Sequence, residues 1–325
     1  MVNVLVIFPA TAQVRAALTA SYGHKCHFLF KEPTWTMEEY HAALREAHII
    51  LGEPKNEDFV HCRALQWMQS PSSGVNYYVQ GGAFPAGATL TCMTGGYGRV
   101  LAEHLVAMVL ALCRRLPEYR DQQHDHLWKL RLYDKQLEDA TVLILGAGDI
   151  GTTVARFLRP MVAKIIGMRR TDRPLPDCFD EQITPAQLDR TLPEADVIVC
   201  ALPQTPETTG MLDETRLRRM KRDAVLVNGG RGSLIDQEAL CRLLQEGHFW
   251  GVGLEVAYPE PLSADSPLWD QPRLIITPHA SGNSYSQESP LYRKIWAFLH
   301  QNLGRYLAGQ PLENVVDFAT GYRKD

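Results

Sequence analysis

The sequence predicts an α/β protein built on parallel, doubly wound sheets. Three observations carry that prediction. Short aliphatic runs alternate with amphipathic helical stretches along the whole chain. One of them, Thr141-Val-Leu-Ile-Leu, passes through glycines spaced G-x-G-x-x-G (Gly146, Gly148, Gly151) into a helical pattern of Val154, Ala155, Phe157 and Leu158. The length, 325 residues, suffices for two domains that each bury a core.

In order, Val4 to Phe8 reads as a strand and Gln13 to Ala20 as the helix after it. His27 to Phe30 is strand-like, Met37 to Ala47 helical, and Ile49 to Leu51, Leu65 to Met68 and Thr89 to Met93 are further strands. Such alternation implies a parallel sheet covered on both faces. The loop Ser72-Ser73-Gly74 follows a strand end, where open α/β sheets bind ligands, although alone it reads better as an ordinary polar turn. Gly98 to Leu116 is a helix whose apolar residues (Leu101, Leu105, Met108, Val109, Leu112, Leu116) recur at three- and four-residue steps until Pro117 stops it. That stripe suits a partner subunit and the chain's own core equally. His124-Asp125-His126 does not share a helix face and reads as solvated surface.

Thr141 to Leu145 has the composition of a strand buried on both faces. Strand, glycine turn and helix start together form a site for a pyrophosphate. The first glycine permits the turn, the second lets backbone approach phosphate, and the third lets helix pack on strand. The first helical turn, Asp149-Ile150-Gly151, offers free N–H groups and a partial positive charge. Further strands follow at Lys164 to Met168, Val197 to Leu202, Ala224 to Val227, Gly251 to Val256 and Leu274 to Ile276. Helical segments lie at Pro185 to Leu192, Asp213 to Met220 and Gln237 to Gln245, the last capped by Asp236. A long final helix runs from Ser284 or Pro290 to Leu307.

The end of the strand after the glycine turn separates NAD from NADP. An acidic residue there holds the ribose hydroxyls of NAD, whereas arginine accommodates a 2′-phosphate. Here Arg169 and Arg170 stand at that end, with no carboxylate before Asp172. NADP is therefore the preferred cofactor, with NAD possible. Past the later strands come Arg231 between glycines, Glu255 at a strand end, Glu260 in the following loop, and His279 after the last strand. On one sheet edge they supply an anion holder, a proton donor and a carboxylate to tune it, the set a 2-oxo acid reductase requires.

Charge and composition exclude other classes. A formal net charge of −4 leaves no electrostatic footprint for nucleic acid or for acidic membranes. The seven cysteines are scattered without a C-x-x-C pair, so no structural metal site or disulfide framework is expected. Val2 to Phe8 reads as a strand rather than a leader, and the longest apolar run, Leu105 to Cys113, is too short to span a bilayer. A cytoplasmic protein is the expectation.

Five motifs in order, Leu-Gly-Ala-Gly-Asp-Ile-Gly (145–151), Leu-Pro-Gln-Thr-Pro-Glu-Thr (202–208), Asn-Gly-Gly-Arg-Gly (228–232), Glu-Val-Ala-Tyr-Pro-Glu-Pro-Leu (255–262) and Thr-Pro-His-Ala-Ser-Gly (277–282), resemble the D-isomer-specific 2-hydroxyacid dehydrogenase family. The resemblance covers nearly the whole chain. It implies a Rossmann-type cofactor domain (98–289) inserted into a flavodoxin-like substrate domain (1–97 and 290–325). It makes Arg231 the binder of the substrate carboxylate and carbonyl oxygen, His279 the acid/base, and Glu260 its partner. The amides of Ser73 and Gly74 would take the carboxylate, and Leu202, Pro203, Thr208, Gly229, Gly230, Glu255, His279 and Ser281 would border the cofactor. The implied substrate is a small 2-oxo or 2-hydroxy acid such as glyoxylate, hydroxypyruvate or pyruvate. The implied assembly is a homodimer through the cofactor domain and helix 98–116. Two departures stand out: Glu255 replaces the family's usual Asp, and Gly95-Gly96-Tyr97-Gly98 lies where members vary. Glu260, where formate dehydrogenases carry Gln, disfavours that subgroup. The family also includes corepressors that sense dinucleotides without turnover, so a binding protein on the same fold stays open.

Overall fold

The computed structural model describes residues 1–130, 133–171, 174–282, 286–287 and 289–323. The chain divides into two compact units, Met1–Tyr97 with Ser284–Asp325, and Gly98–Asn283.

In the first unit, strands β1 (Val2–Val6), β2 (Cys26–Phe30), β3 (Ile49–Leu51), β4 (Trp67–Gln69) and β5 (Thr89–Thr91) form one sheet in the order β2-β1-β3-β4-β5. All its pairings are parallel, and the order is that of a flavodoxin-like sheet. Helices α1 (Ala12–Tyr22) and α2 (Met37–Glu46) begin at threonines that cap them: Thr11 Oγ1 accepts from Val14 N and Thr36 Oγ1 from Glu39 N. A short helix, α3 (Asn76–Gln80), follows β4.

The second unit opens with α4 (Gly98–Cys113) and α5 (Leu116–His124). Here the structure corrects the sequence reading. Arg115 takes a left-handed conformation (φ 55°) that ends α4, and Pro117 sits in the first turn of α5, where its missing N–H costs nothing. Seven parallel strands follow: β6 (Thr141–Leu145), β7 (Lys164–Met168), β8 (Glu181–Ile183), β9 (Val197–Cys200), β10 (Val225–Asn228), β11 (Gly251–Leu254) and β12 (Leu274–Ile276). Their order, β12-β11-β10-β9-β6-β7-β8, is Rossmann-like, with its topological switch between β6 and β9.

Strand period two sorts the core. Leu143, Leu145, Ile166, Ile198 and Leu226 face one layer, packed under α7 (Leu188–Thr191), α8 (Glu214–Arg219) and α9 (Gln237–Gln245). Val142, Ile144, Val197, Val199 and Val225 face the other, under α4 and α6 (Asp149–Leu158). Leu105, Met108, Val109 and Leu112 of α4 belong to that second layer, where Gly251 lets Leu112 approach the sheet to 2.8 Å of its absent Cβ. These four residues of the α4 stripe are thus core, while Arg99, Glu103 and Ala107 on its other side are exposed.

The chain then returns to the first unit through α10 (Pro290–Leu307), capped by Ser289, whose Oγ accepts from Tyr292 N at 3.1 Å. Ser284, the alternative start of this helix, lies outside the described residues. Tyr292 Oη and Trp296 Nε1 both donate to Pro9 O, and Asn302 Nδ2 donates to Gln69 Oε1 at 2.8 Å. A hairpin of β13 (Val316–Asp317) and β14 (Tyr322–Arg323) ends the unit. All seven cysteines are free and buried, and among the described residues no helix is long and apolar enough to cross a membrane.

Candidate active site

The glycine turn lies at the switch point, and each glycine has a separate physical reason. Gly146 is left-handed (φ +104°), and a Cβ there would fall 2.7 Å from Ala201 O, just past β9. A Cβ on Gly151 would fall 2.1 Å from Gly146 O and 2.9 Å from Ile144 Cγ2, so α6 can touch β6 only without one. At Gly148, by contrast, an added Cβ meets no protein atom within 4 Å. Gly148 is also the N-cap of α6 and makes no side-chain cap, so the first amides of that helix face an open approach. The turn therefore fits a dinucleotide pyrophosphate. The Asp149 side chain does something the sequence did not announce. Its Oδ2 accepts from Gly98 N at 2.8 Å and caps α4, which draws the carboxylate off toward that helix.

Arg169 stands at the end of β7 beside this turn, and its Nε donates to Ala147 O at 2.9 Å. Arg170 is exposed next to it, while Asp172 lies outside the described residues. After β9, the Leu202–Thr208 segment is pinned by Thr208: its Oγ1 donates to Pro203 O at 2.7 Å and accepts from Thr205 N at 2.8 Å.

The remaining groups lie past the ends of β10, β11 and β12. Asn228, fully buried, shapes the arginine turn: Oδ1 accepts from Gly230 N at 3.1 Å and Nδ2 donates to Arg231 O at 3.0 Å. Asn228 has no role in the sequence reading, although an amide closing the aliphatic run Val225-Leu-Val was the available signal. Gly230 and Gly232 lie against neighbouring loops. Cβ atoms there would fall 2.6 Å from Leu202 O and 1.9 Å from Ala257 O, so these glycines make room for the neighbouring loops. Arg231 is half-buried, with Nη1 donating to Gly230 O at 2.7 Å.

Glu255 is buried (1% exposed), and its Oε1 accepts from Ser281 N at 2.6 Å. His279 is held left-handed (φ 51°), its N–H shared between Glu255 O and Thr277 O at 2.9 and 3.0 Å. Such a backbone is unfavourable for a non-glycine residue by about 1–3 kcal/mol, so the surrounding bonds must hold it. The result is an exposed imidazole whose Nδ1 lies 2.8 Å from Glu260 Oε2, while Glu260 Oε1 accepts from Ala257 N at 3.0 Å. Both carboxylate oxygens of Glu260 are engaged, so the imidazole is oriented rather than merely tethered. His104 Nε2, 3.0 Å from Thr277 Oγ1, braces the same turn and was likewise not anticipated.

Ser73 and Gly74 belong to the other unit, in the loop after β4, and both are half-buried. Neither of their amides donates to another group among the described residues.

Comparison with known proteins bears on all of this. Residues 106–281 match the family described as D-isomer specific 2-hydroxyacid dehydrogenase, NAD binding domain. A Corynebacterium melassecola protein, described only as an uncharacterised protein in the proB 3′ region, is 30% identical over 274 residues, covering 79% of this chain and 84% of its own. A D-isomer specific 2-hydroxyacid dehydrogenase family protein from Aeromonas salmonicida has a solved structure that superposes with a TM-score of 0.85 at 32% identity, over 98% of this chain and 99% of that one. The NADPH-dependent glyoxylate/hydroxypyruvate reductase of Sinorhizobium meliloti, solved with NADP and sulfate, superposes with a TM-score of 0.81 at 25% identity, over 99% of this chain and 100% of its own. With a glycine turn that admits a pyrophosphate and the family's match across residues 106–281, the chain belongs to the D-isomer-specific 2-hydroxyacid dehydrogenases, oxidoreductases that work with a nicotinamide dinucleotide.

Proposed function

We propose that the protein reduces a small 2-oxo acid of the glyoxylate, hydroxypyruvate and pyruvate class, with NADPH preferred over NADH. The observation that carries this reading is the His279–Glu260 pair, 2.8 Å apart, beside the Arg231 turn on one sheet edge. When bound, the nicotinamide supplies the hydride that reaches C2 of the substrate. With Nδ1 turned to Glu260, Nε2 of His279 is the nitrogen that gives its proton to the substrate oxygen. Arg231 and the amides of Ser73 and Gly74 take the carboxylate, and Arg231 with His279 offsets negative charge as it builds on the carbonyl oxygen. Arg169 and Arg170 supply guanidinium donors for a 2′-phosphate. The NADP bound to the Sinorhizobium meliloti relative supports that assignment. A purely dinucleotide-sensing role has no need of the oriented imidazole.

The test is cofactor oxidation with glyoxylate, hydroxypyruvate and pyruvate, run in parallel with NADPH and NADH. Turnover with at least one acid, at higher kcat/KM with NADPH, is expected. Equal efficiency with the two cofactors would remove the phosphate role of the arginine pair, and dinucleotide binding without turnover of any acid would overturn the catalytic reading.

We also propose that the chain pairs as a homodimer through its cofactor unit. The surface available for pairing includes the outer side of helix 98–116 and the exposed Leu116, Leu127, Trp128, Leu130 and Tyr133. Sedimentation equilibrium should give twice the chain mass of 36.5 kDa, and a single-chain mass would refute the pairing.

A further inference from the structure

We infer that Glu53 and Ser70 are positioning residues that aim the Ser73 amide at the substrate carboxylate, an inference that rests on the role proposed above for the Ser73–Gly74 amides. In a planar trans peptide the C=O and the following N–H point in opposite directions, so fixing one edge aims the other. Two successive peptide planes of this loop are fixed in that way. Across Pro71–Ser72, Tyr97 Oη donates to Pro71 O at 2.8 Å, and Ser72 N donates to Ser70 Oγ at 3.0 Å. Across Ser72–Ser73, Met93 N donates to Ser72 O at 2.8 Å. That last bond leaves the Ser73 N–H directed away from β5.

Ser70 is the joint of this arrangement, and its side chain is polarised one way. A hydroxyl has one proton to give. Ser70 Oγ lies 2.7 Å from Glu53 Oε1 and 3.4 Å from Ser72 O, so the proton goes to the carboxylate, the shorter and charge-assisted bond. The lone pairs of Oγ are then left for the Ser72 N–H. The relay therefore runs from Ser72 N–H to Ser70 Oγ, and from Ser70 O–H to Glu53. Topology brings the members together across seventeen positions. Glu53 and Ser70 follow the neighbouring parallel strands β3 and β4, and the two segments are joined by Gly52 N donating to Gln69 O at 3.0 Å. Ser70 is fully buried, so its hydroxyl is held within the protein between these two partners. A held amide is worth more than a free one because the orientation does not have to be found at binding.

The experiment compares glyoxylate with its methyl ester in the full-length protein, with NADPH, in Ser70→Ala, Glu53→Ala and Glu53→Gln. Only the acid offers a full negative charge to the amides. In Ser70→Ala and Glu53→Ala the ratio of kcat/KM for acid over ester should fall roughly tenfold, carried mainly by KM for the acid. NADPH affinity, read by fluorescence titration, should hold, because these residues touch no part of the glycine turn. Glu53→Gln keeps an oxygen that accepts the Ser70 proton and should restore the ratio to within about threefold. Loss of acid and ester activity in equal proportion, or no change in the ratio, would overturn the inference while leaving the proposed reaction standing. An unaltered protein that reduces no 2-oxo acid would overturn both.

Discussion

Gly148 and Gly151 stand three residues apart in one motif, yet the structure gives their alanine variants opposite consequences. At Gly151 a methyl group would overlap Gly146 O at 2.1 Å and Ile144 Cγ2 at 2.9 Å, both parts of the strand and turn on which α6 is packed. Neither can withdraw without shifting backbone, so overpacking of about 1–3 kcal/mol should outweigh the propensity gain of about 1 kcal/mol that alanine brings to a helix. At Gly148 the backbone is extended (φ −86°, ψ −155°), a region alanine shares, and the new methyl group meets no protein atom within 4 Å. There the reduced entropy of the unfolded chain should leave stability unchanged or raised by about 0.4–1 kcal/mol. The open side of Gly148 is the approach to the first amides of α6. A methyl there should weaken dinucleotide binding at least tenfold, about 1.4 kcal/mol, although the protein folds as before. Calorimetry and fluorescence titration with NADPH and NADH separate the two effects. Gly148→Ala should melt at or slightly above the unaltered temperature with weak binding, whereas Gly151→Ala should melt several degrees lower. A Gly148→Ala protein that binds both dinucleotides with unaltered affinity would refute the assignment of that open face to the cofactor.

Two further outcomes are expected. Arg231→Lys keeps the charge but replaces a planar fork with a point donor, so kcat/KM for the 2-oxo acid should fall tenfold to a hundredfold, as for loss of about 1.5–3 kcal/mol, with cofactor binding intact; unaltered turnover without the guanidinium would defeat its role. His248 is buried (4% exposed) with Nε2 3.2 Å from Met220 O, and burial first, then Arg222 and Arg218, hold its pKa below the ordinary 6.5. Above that value the ring is neutral in both states and adds no pH dependence. Below it the unfolded chain takes a proton that the folded chain resists, so stability should fall as pH drops below about 6.5. In His248→Gln thermal melts should fall less steeply over that range, and an identical slope would exclude His248 as a source of the acid sensitivity.

Much of the fold was legible because strands buried on both faces must be written as continuous aliphatic runs. Ile49–Leu51, Thr141–Leu145 and Lys164–Met168 match the residues read as strands. Elements without that constraint escaped. Strand β8, Glu-Gln-Ile, sits at a sheet edge with only Ile183 buried, so it carries no run to detect. The break between α4 and α5 escaped for a different reason. Leu116 continues the helical period of Leu105, Met108, Val109 and Leu112 in sequence, but the chain turns at Arg115, a residue type with no preference for the left-handed conformation it adopts. Leu116 consequently ends up 55% exposed instead of in the core.

The site shows the same division between what a residue is and what it meets. Arg231, Glu260 and His279 could be placed on one edge because each follows a strand of one parallel sheet, and parallel strands all end on the same side. The pairing of His279 with Glu260 came from the resemblance, since residue type alone offered both Glu255 and Glu260 as an orienting carboxylate. What a missing side chain makes room for was not readable. Gly148 is open, whereas Gly230 and Gly232 press against Leu202 and Ala257, yet all three are glycines beside functional residues. The purpose of Asp149 was hidden in the same way, because its carboxylate serves Gly98, fifty-one positions earlier. Chemistry that depends on residue type can thus be inferred along the chain. Orientation depends on atoms brought together from separate strands, and here it rests on Asn228 beneath Arg231, Ala257 beneath Glu260 and Ser70 beneath Ser72. Substitutions at those supports should therefore change how well a recognisable site works while leaving every recognisable motif in place.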